Sequence, residues 1–178
     1  MSTNDVLGFV GGIKSGKSTL AEAVACDQGC ECVSFGSYVR LIAREQGKSE
    51  SREVLQQIGQ SLIDGGIPSF CSSVLGQVEW HPGQALVIDG IRHVDIVTEL
   101  RRTVQPSVFR LVYVSLDQAI RGSRLRETEA GSLEVLDQHS TEVEVFATLP
   151  QLADLTIDGE RGVDELVAEI QAWLISSS

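Results

Sequence analysis

Short, mainly apolar runs recur along the chain and are separated by stretches of polar and mixed composition. They have the length and the β-branched content of strands buried in a parallel sheet, and Ala85–Ile91 is almost entirely apolar. We therefore predict five strands, at Val6–Val10, Cys30–Phe35, Ala85–Ile91, Phe109–Leu116 and Leu152–Ile157.

The stretches between these runs carry apolar residues every three or four positions, the spacing of an amphipathic helix. In one of them Val54, Leu55, Ile58 and Leu62 form a stripe, and two glycines then end the pattern. The remaining stretch, Leu133–Leu149, has mixed helical character. The predicted helices are Thr19–Ala25, Ser37–Gln46, Arg52–Asp64, Pro68–Val78, Val94–Thr103, Asp117–Glu127 and Val163–Ile175.

Strands that alternate with helices predict an α/β fold with a parallel sheet and right-handed crossovers. A chain of 178 residues without a low-complexity linker is most simply one domain, a five-stranded parallel sheet flanked by helices. Ligands of such sheets bind beyond the carboxyl ends of the strands. Three segments are therefore expected to meet at one edge: Gly11–Ser18, Gly36–Arg40 and Asp89–Arg92.

The link between the first strand and the first helix fits the phosphate-loop pattern G-x-x-x-x-G-K-[ST]. Its glycines permit backbone angles at which consecutive N–H groups converge on an anion, and the positive end of the next helix adds to this. Lys17 would reach the β- and γ-phosphates, and the Ser18 hydroxyl would ligate Mg²⁺. The predicted nucleotide-binding residues are Gly11, Gly12, Ile13, Lys14, Ser15, Gly16, Lys17, Ser18 and Thr19.

Asp89 directly follows the most apolar strand, at the edge where the phosphate loop is expected. A carboxylate there suits a magnesium partner, bound directly or through water, although an Asp-Gly pair also forms ordinary turns. Arg92 would face the same cleft and match a phosphate through two N–H groups. A surface arginine at a helix start is the alternative, and the helix dipole disfavours it.

Further arginines are candidates for binding phosphoryl groups. Arg40 lies one turn into the predicted second helix, while Arg121 and Arg124 are three apart and share one helix face. An anion between the latter two would relieve their repulsion. The spacing equally allows Asp117 to pair with Arg121 and Glu127 to pair with Arg124.

Charge and composition restrict the classes of binding partner and the cellular location that we expect. A net charge of −11 argues against a nucleic-acid surface. No apolar run is long enough to span a membrane and no signal peptide is visible, so we expect a cytoplasmic protein.

The cysteines form no C-x-x-C pair; we expect Cys26, Cys30 and Cys32 to serve as small apolar residues, with a metal site as the alternative. The choice between monomer and homodimer stays open.

These motifs resemble the nucleoside-monophosphate-kinase-like branch of P-loop kinases, which implies their three-layer P-loop NTPase fold. Gly11–Thr19 is similar to the phosphate loop of dephospho-CoA kinases. Phe35–Arg40 resembles the segment that grips the acceptor phosphate in adenylate-kinase-type enzymes, and Asp89–Arg92 resembles their Asp-Gly-x-Pro-Arg segment without the proline. Arg121 and Arg124 match the lid arginines in position. Weaker similarity covers Arg52–Gly59 and Leu152–Glu165.

The chain also departs from these families. The glutamine by which adenylate kinases read adenine has no clear counterpart in His93–Thr98. Ser34–Ser37 stands where dephospho-CoA kinases place a catalytic aspartate. The resemblance therefore bears more on the nucleotide donor than on the acceptor.

The resemblance implies ATP- and Mg²⁺-dependent phosphoryl transfer to a nucleoside or deoxynucleoside monophosphate. Lys17 would hold the donor, Ser18 and Asp89 would position Mg²⁺, and Arg121 and Arg124 would neutralise the transferred group. The acceptor would lie in a helical segment over residues 36–80, held by Gly36, Arg40 and Arg92, with a lid over residues 117–148.

Two alternatives remain open at this point. One is phosphorylation of a hydroxyl, as on dephospho-CoA; the missing aspartate counts against it. The other is a nucleotide-binding regulator without phosphotransfer, which would not need arginines on an acceptor side and on a lid.

Overall fold

The computed structural model describes residues 5–124 and 145–177. Their strands are β1 (Asp5–Val10), β2 (Glu31–Ser34), β3 (Leu86–Asp89), β4 (Val108–Ser115) and β5 (Leu155–Asp158). Their helices are α1 (Lys17–Gln28), α2 (Phe35–Glu45), α3 (Arg52–Asp64), α4 (Ile67–Leu75), α5 (Val94–Thr103), α6 (Gln118–Ser123), α7 (Leu149–Leu152) and α8 (Val163–Ser176).

The five strands form one parallel sheet in the order β2-β3-β1-β4-β5. In register, Asp89 on β3 lies beside Phe9 on β1 and beside Ser34 on β2. The carboxyl ends of these three strands therefore meet at one edge of the sheet. The segments 11–18, 36–40 and 89–92 all begin there, as the alternation of strands and helices predicts.

Side chains of β1 alternate between the two faces of the sheet, as strand geometry requires. Val6 and Val10 pack into a core under α2–α5, whereas Leu7 and Phe9 pack into a core under α1 and α8. All six residues of β1 are buried, because helices cover both faces. The predicted three-layer α/β fold with a five-stranded parallel sheet is confirmed.

Most element boundaries lie within a few residues of their predicted positions, and α3 and α5 match theirs. The clearest difference is α2, which begins at Phe35 rather than Ser37. Ser34 is its N-cap and accepts a hydrogen bond from the backbone N–H of Ser37 at 3.3 Å. The strand therefore passes into the helix without a loop. Ser34 is thus both the last residue of β2 and the cap of α2, and Phe35, predicted as the end of the strand, belongs to the helix.

Part of the predicted lid lies outside the described residues. The helix predicted to reach Glu127 is described as far as Ser123. The break at Thr128–Ser132 and most of Leu133–Leu149 fall in the part of the chain that is not described. The chain is described again from Val145, which is buried in the core under α2–α5.

Two further expectations can be compared with the structure. None of the described helices has the length and low polarity that crossing a bilayer requires. Cys26 is exposed, Cys30 and Cys32 are half-buried, and Cys71 lies in the core. Burial raises the pKa of the Cys32 thiol to about 12, with smaller contributions from Asp89 and Glu22, so this thiol stays neutral.

Candidate active site

The phosphate loop joins β1 to α1 in an unusual backbone conformation. Lys14 and Gly16 both have positive φ angles, 62° and 88°, and Gly16 is the residue that precedes the first turn of α1. Alternation of this kind turns successive N–H groups inward and creates a concave anion site. The N-terminal end of α1 adds its partial positive charge to the same site.

Lys17 lies at the floor of this loop. Its side chain is buried and its ammonium donates to the carbonyl of Gly12 at 3.4 Å. Burial lowers the pKa of Lys17 to about 8; the charges of Arg92 and Arg121 add to this, while Asp89 opposes it. Burial and the nearby positive charges destabilise the charged form of Lys17. A bound anion would stabilise that charged form again.

The start of α1 and the end of β3 together form a set of hard oxygen ligands. The Ser18 hydroxyl donates to Oδ2 of Asp89 at 2.8 Å. The other oxygen, Oδ1, is buried and has no hydrogen-bond partner among the described residues. A hydroxyl and a carboxylate with a spare oxygen fit Mg²⁺, which takes its remaining ligands from water and phosphates. The described residues contain no cluster of three acidic, histidine or cysteine ligands that would suit a different metal.

Helix α6 brings two arginines to the phosphate loop. Arg121 is buried, and its guanidinium stacks on the ring of Phe146 at 4.6 Å from the ring centroid. Arg124 donates to the carbonyl of Lys14 at 3.4 Å. Gly12 makes room for this arrangement, because a Cβ there would lie 2.8 Å from Arg121 and 2.6 Å from Phe146.

The arginine spacing on this helix left two alternatives open. The carboxylate of Asp117 accepts from the backbone N–H of Ala119 at 2.8 Å and so caps α6. Glu127 lies outside the described residues. The structure places Arg121 and Arg124 at the phosphate loop, and their role on a transferred phosphoryl group stays a prediction.

A cavity of about 550 Å³ opens on one side of the phosphate loop, between α2, α3 and the end of β3. Gly36, Arg40 and Arg92 line it, together with Ile13 and Lys14 of the loop. The three residues predicted to hold an acceptor are thus brought together beside the phosphate loop.

Arg92 shows how concentrated the positive charge is in this cavity. The pKa of Arg92 is lowered to about 10, mainly by burial and also by the nearby charges of Arg52 and Arg40, against an opposing effect of Asp89. Cations gathered at such a site favour an anionic ligand with more than one charge.

A second cavity of about 210 Å³ lies on the other side of the loop. Gly16, Thr19, Arg124 and Arg161 are among the residues that line it. The phosphate loop therefore separates a large cavity, with the acceptor candidates, from a small one.

Two site residues were not among the predicted ones. Arg52, the first residue of α3, lines the large cavity. It carries the same signal that singled out Arg92, a cation at a helix start, where the dipole disfavours it. Phe146 has no comparable signal, since its contact with Arg121 and Gly12 depends on the tertiary fold.

No protein-family model and no curated protein matches this chain. Solved kinases do share its fold at low sequence identity. Shikimate kinase from Aquifex aeolicus is 14% identical with a TM-score of 0.65, covering 97% of each chain. A gluconokinase from Sinorhizobium meliloti is 15% identical with a TM-score of 0.62, covering 99% of this chain and 94% of its own. Shikimate kinase from Acinetobacter baumannii, solved with shikimate, is 16% identical with a TM-score of 0.62, covering 99% and 96%.

Such similarity shows the fold, and it is the fold of P-loop kinases. The narrower resemblance to nucleoside monophosphate and dephospho-CoA kinases stays a prediction.

Proposed function

We propose that this protein transfers the γ-phosphoryl group of ATP to the phosphate of a nucleoside or deoxynucleoside monophosphate. One observation carries the proposal: Arg40 and Arg92 line a large cavity on one side of the phosphate loop, and Arg121 and Arg124 lie on the loop itself. Cations beside the cavity and on the loop support this proposal, because phosphoryl transfer needs positive charge near the acceptor and near the transferred group.

Each residue has a distinct role in this reaction. The loop amides and Lys17 hold the donor phosphates, while Ser18 and Asp89 would hold Mg²⁺, which neutralises charge on the β- and γ-phosphates when bound. Arg40 and Arg92 orient the acceptor phosphate. One of its oxygens forms a bond to the γ-phosphorus as the bond to the β-γ bridging oxygen breaks, and ADP leaves. A phosphate oxygen is already anionic, so no base is needed.

Phosphorylation of a hydroxyl is the second candidate, and the similar structures favour it. Shikimate kinase and gluconokinase have names that point to acceptors other than nucleotides. The charge of the cavity weighs against this candidate, because three arginines line it and suit a dianion better than a neutral hydroxyl. A hydroxyl acceptor benefits from a base within reach. Among the described residues that line the cavity, Glu50, which accepts from Arg44 at 2.6 Å, and His93 are the two that could serve as one.

A panel of acceptors with ATP and Mg²⁺ decides between these candidates. It contains ribo- and deoxyribonucleoside monophosphates, dephospho-CoA, shikimate and gluconate, and product formation is measured for each. We expect turnover with one or more nucleotides. Turnover only with a hydroxyl compound would replace the proposal by the second candidate. Tight ATP binding without any product would indicate a regulator.

Replacing Arg92 tests the mechanism itself. Arg92→Ala should lower kcat/KM roughly a hundredfold or more, the usual cost of losing a preorganised charged donor. Arg102→Ala is the matched control, because Arg102 is exposed and pairs with Glu99 on α5. Unchanged turnover in Arg92→Ala would remove this arginine from the mechanism.

A further inference from the structure

One face of α3 forms a wall of the large cavity over most of the helix length. Its lining residues fall in two rows with helical spacing, one polar and one apolar or small. The polar row is Arg52, Gln56 and Gln60, and the second row is Leu55, Gly59 and Ile63. A wall with a cation at one end and amides beside apolar surface further along matches a ligand that has a charged end and a polar, planar body.

The charged end of this wall lies with the other acceptor cations. Arg52 and Arg92 line the same cavity, and the charge of Arg52 contributes to lowering the pKa of Arg92, which places the two guanidiniums near each other. Arg40 belongs to the same group. The dipole at the start of α3 opposes a cation at this position, so a bound anion would offset a real cost.

Gly59 marks where the body of the ligand has room. Glycine in the interior of a helix destabilises the helix relative to alanine. No atom lies within 4 Å of the place where a Cβ of Gly59 would be, so packing does not require a glycine there. The position lines the cavity, and a side chain would project into that space. Gly59 lies seven positions after Arg52, which corresponds to about 10 Å along the helix axis.

We propose that α3 recognises the acceptor along its length: Arg52 binds its phosphate with Arg40 and Arg92, and the base lies against Gly59 with its polar edge at Gln56. This inference rests on the proposed function and adds the residues that would select the nucleotide. The amide of Gln56 can both donate and accept hydrogen bonds, as the edge of a base requires.

Filling the cavity at Gly59 is the central test. Gly59→Leu should raise KM for the nucleotide acceptor at least about tenfold, equivalent to ~1.4 kcal/mol, with KM for ATP unchanged within about twofold. Ser61→Leu is the control, since Ser61 is an exposed residue of α3 that does not line the cavity. Gly59→Ala should raise the melting temperature and raise the acceptor KM by a smaller factor. This combination separates a loss of space from a loss of folding.

Two further pairs of variants test the ends of the wall. Arg52→Gln should raise the acceptor KM for every nucleotide by a similar factor, because all share the phosphate, whereas Arg102→Gln should not. Gln56→Ala should change the ratio of kcat/KM between bases, whereas Gln57→Ala, next to it and exposed, should leave the ratio unchanged.

The outcomes separate this inference from the proposed function. A wild-type protein that phosphorylates no nucleotide overturns both. A wild-type protein that phosphorylates a nucleotide, with unchanged acceptor KM in Gly59→Leu and in Arg52→Gln, overturns recognition by α3 and leaves the reaction intact.

Discussion

Lys17 shows at the scale of one residue how binding function and stability oppose each other. The ammonium is buried among cations, and its pKa is lowered from 10.5 to about 8. Between these two pH values the unfolded chain binds more protons at this position than the folded one. The ligand-free fold therefore gains stability from this group as pH rises through that window. A triphosphate on the loop reverses the effect, because it favours the charged ammonium.

We therefore predict that ATP binding above pH 8 takes up protons. Titration calorimetry at pH 8.5, in two buffers with different ionisation enthalpies, should show uptake by the wild type. Lys17→Arg should bind ATP without that uptake, since a guanidinium stays charged. Equal proton uptake in both proteins would show that another group is responsible.

At the scale of elements, the magnesium candidates arise where two elements meet. Pairing of β1 with β3 brings the end of β3 beside the loop that leads from β1 into α1. Ser18 on α1 and Asp89 on β3 then form their hydrogen bond, although they are far apart in the chain. Asp89 also faces Lys17 and Arg92, whose charged forms it favours.

Replacing the Asp89 carboxylate should weaken the binding of Mg²⁺ before it affects the fold. Asn retains the acceptor for Ser18 but removes the charge. We expect Asp89→Asn to raise the Mg²⁺ concentration needed for half-maximal activity by about tenfold or more, the usual effect of losing a metal-orienting carboxylate. Asp27→Asn, at the opposite end of α1, is the control. A half-saturation value equal to that of the wild type would place the metal elsewhere.

At the scale of the whole molecule, positive charge is concentrated at one edge of an acidic protein. The net charge is −11, yet cations gather around the phosphate loop and the two cavities beside it. They come from the phosphate loop, from α1, α2, α3 and α6, and from the segments after β3 and β5, and only the assembled sheet brings them together. The fold thus makes this edge a site that attracts anions.

Phe146 provides a test of this assembly. It lies in the second described part of the chain, residues 145–177, whereas the phosphate loop and Arg121 lie in the first. Phe146→Leu should keep most of the packing but lose the cation–π contact with Arg121, worth about 0.5–2 kcal/mol. We expect kcat to fall severalfold in this variant. In an Arg121→Ala background the same change should have little further effect on kcat, because its partner is gone.

The control is a second pair of the same kind. Arg110 lies 5.4 Å from the ring centroid of Trp173, remote from the phosphate loop. Trp173→Leu should therefore lower stability without changing kcat. Additive effects of Phe146→Leu and Arg121→Ala on kcat would contradict a positioning role for Phe146.

The sequence by itself determined the fold class and the edge of the sheet at which the candidate site residues lie. Apolar runs and helical spacing are local patterns, and their alternation along the chain implies a parallel sheet. The phosphate loop depends on neighbours in the chain, so it too could be predicted. Asp89 and Arg92 could be predicted because strand ends share one edge, and α3 because its stripe is clear.

Only the tertiary structure decided which side chains face the same space. The position of Arg52 at a helix start, where the dipole disfavours a cation, could be noticed in the sequence. Its place beside Arg92 depends on how α3 packs against the sheet. The openness around Gly59 and the stacking of Phe146 on Arg121 depend on contacts between distant segments. Such contacts follow from packing in three dimensions. The periodicity of apolar residues along the chain predicts single elements and not which distant side chains meet.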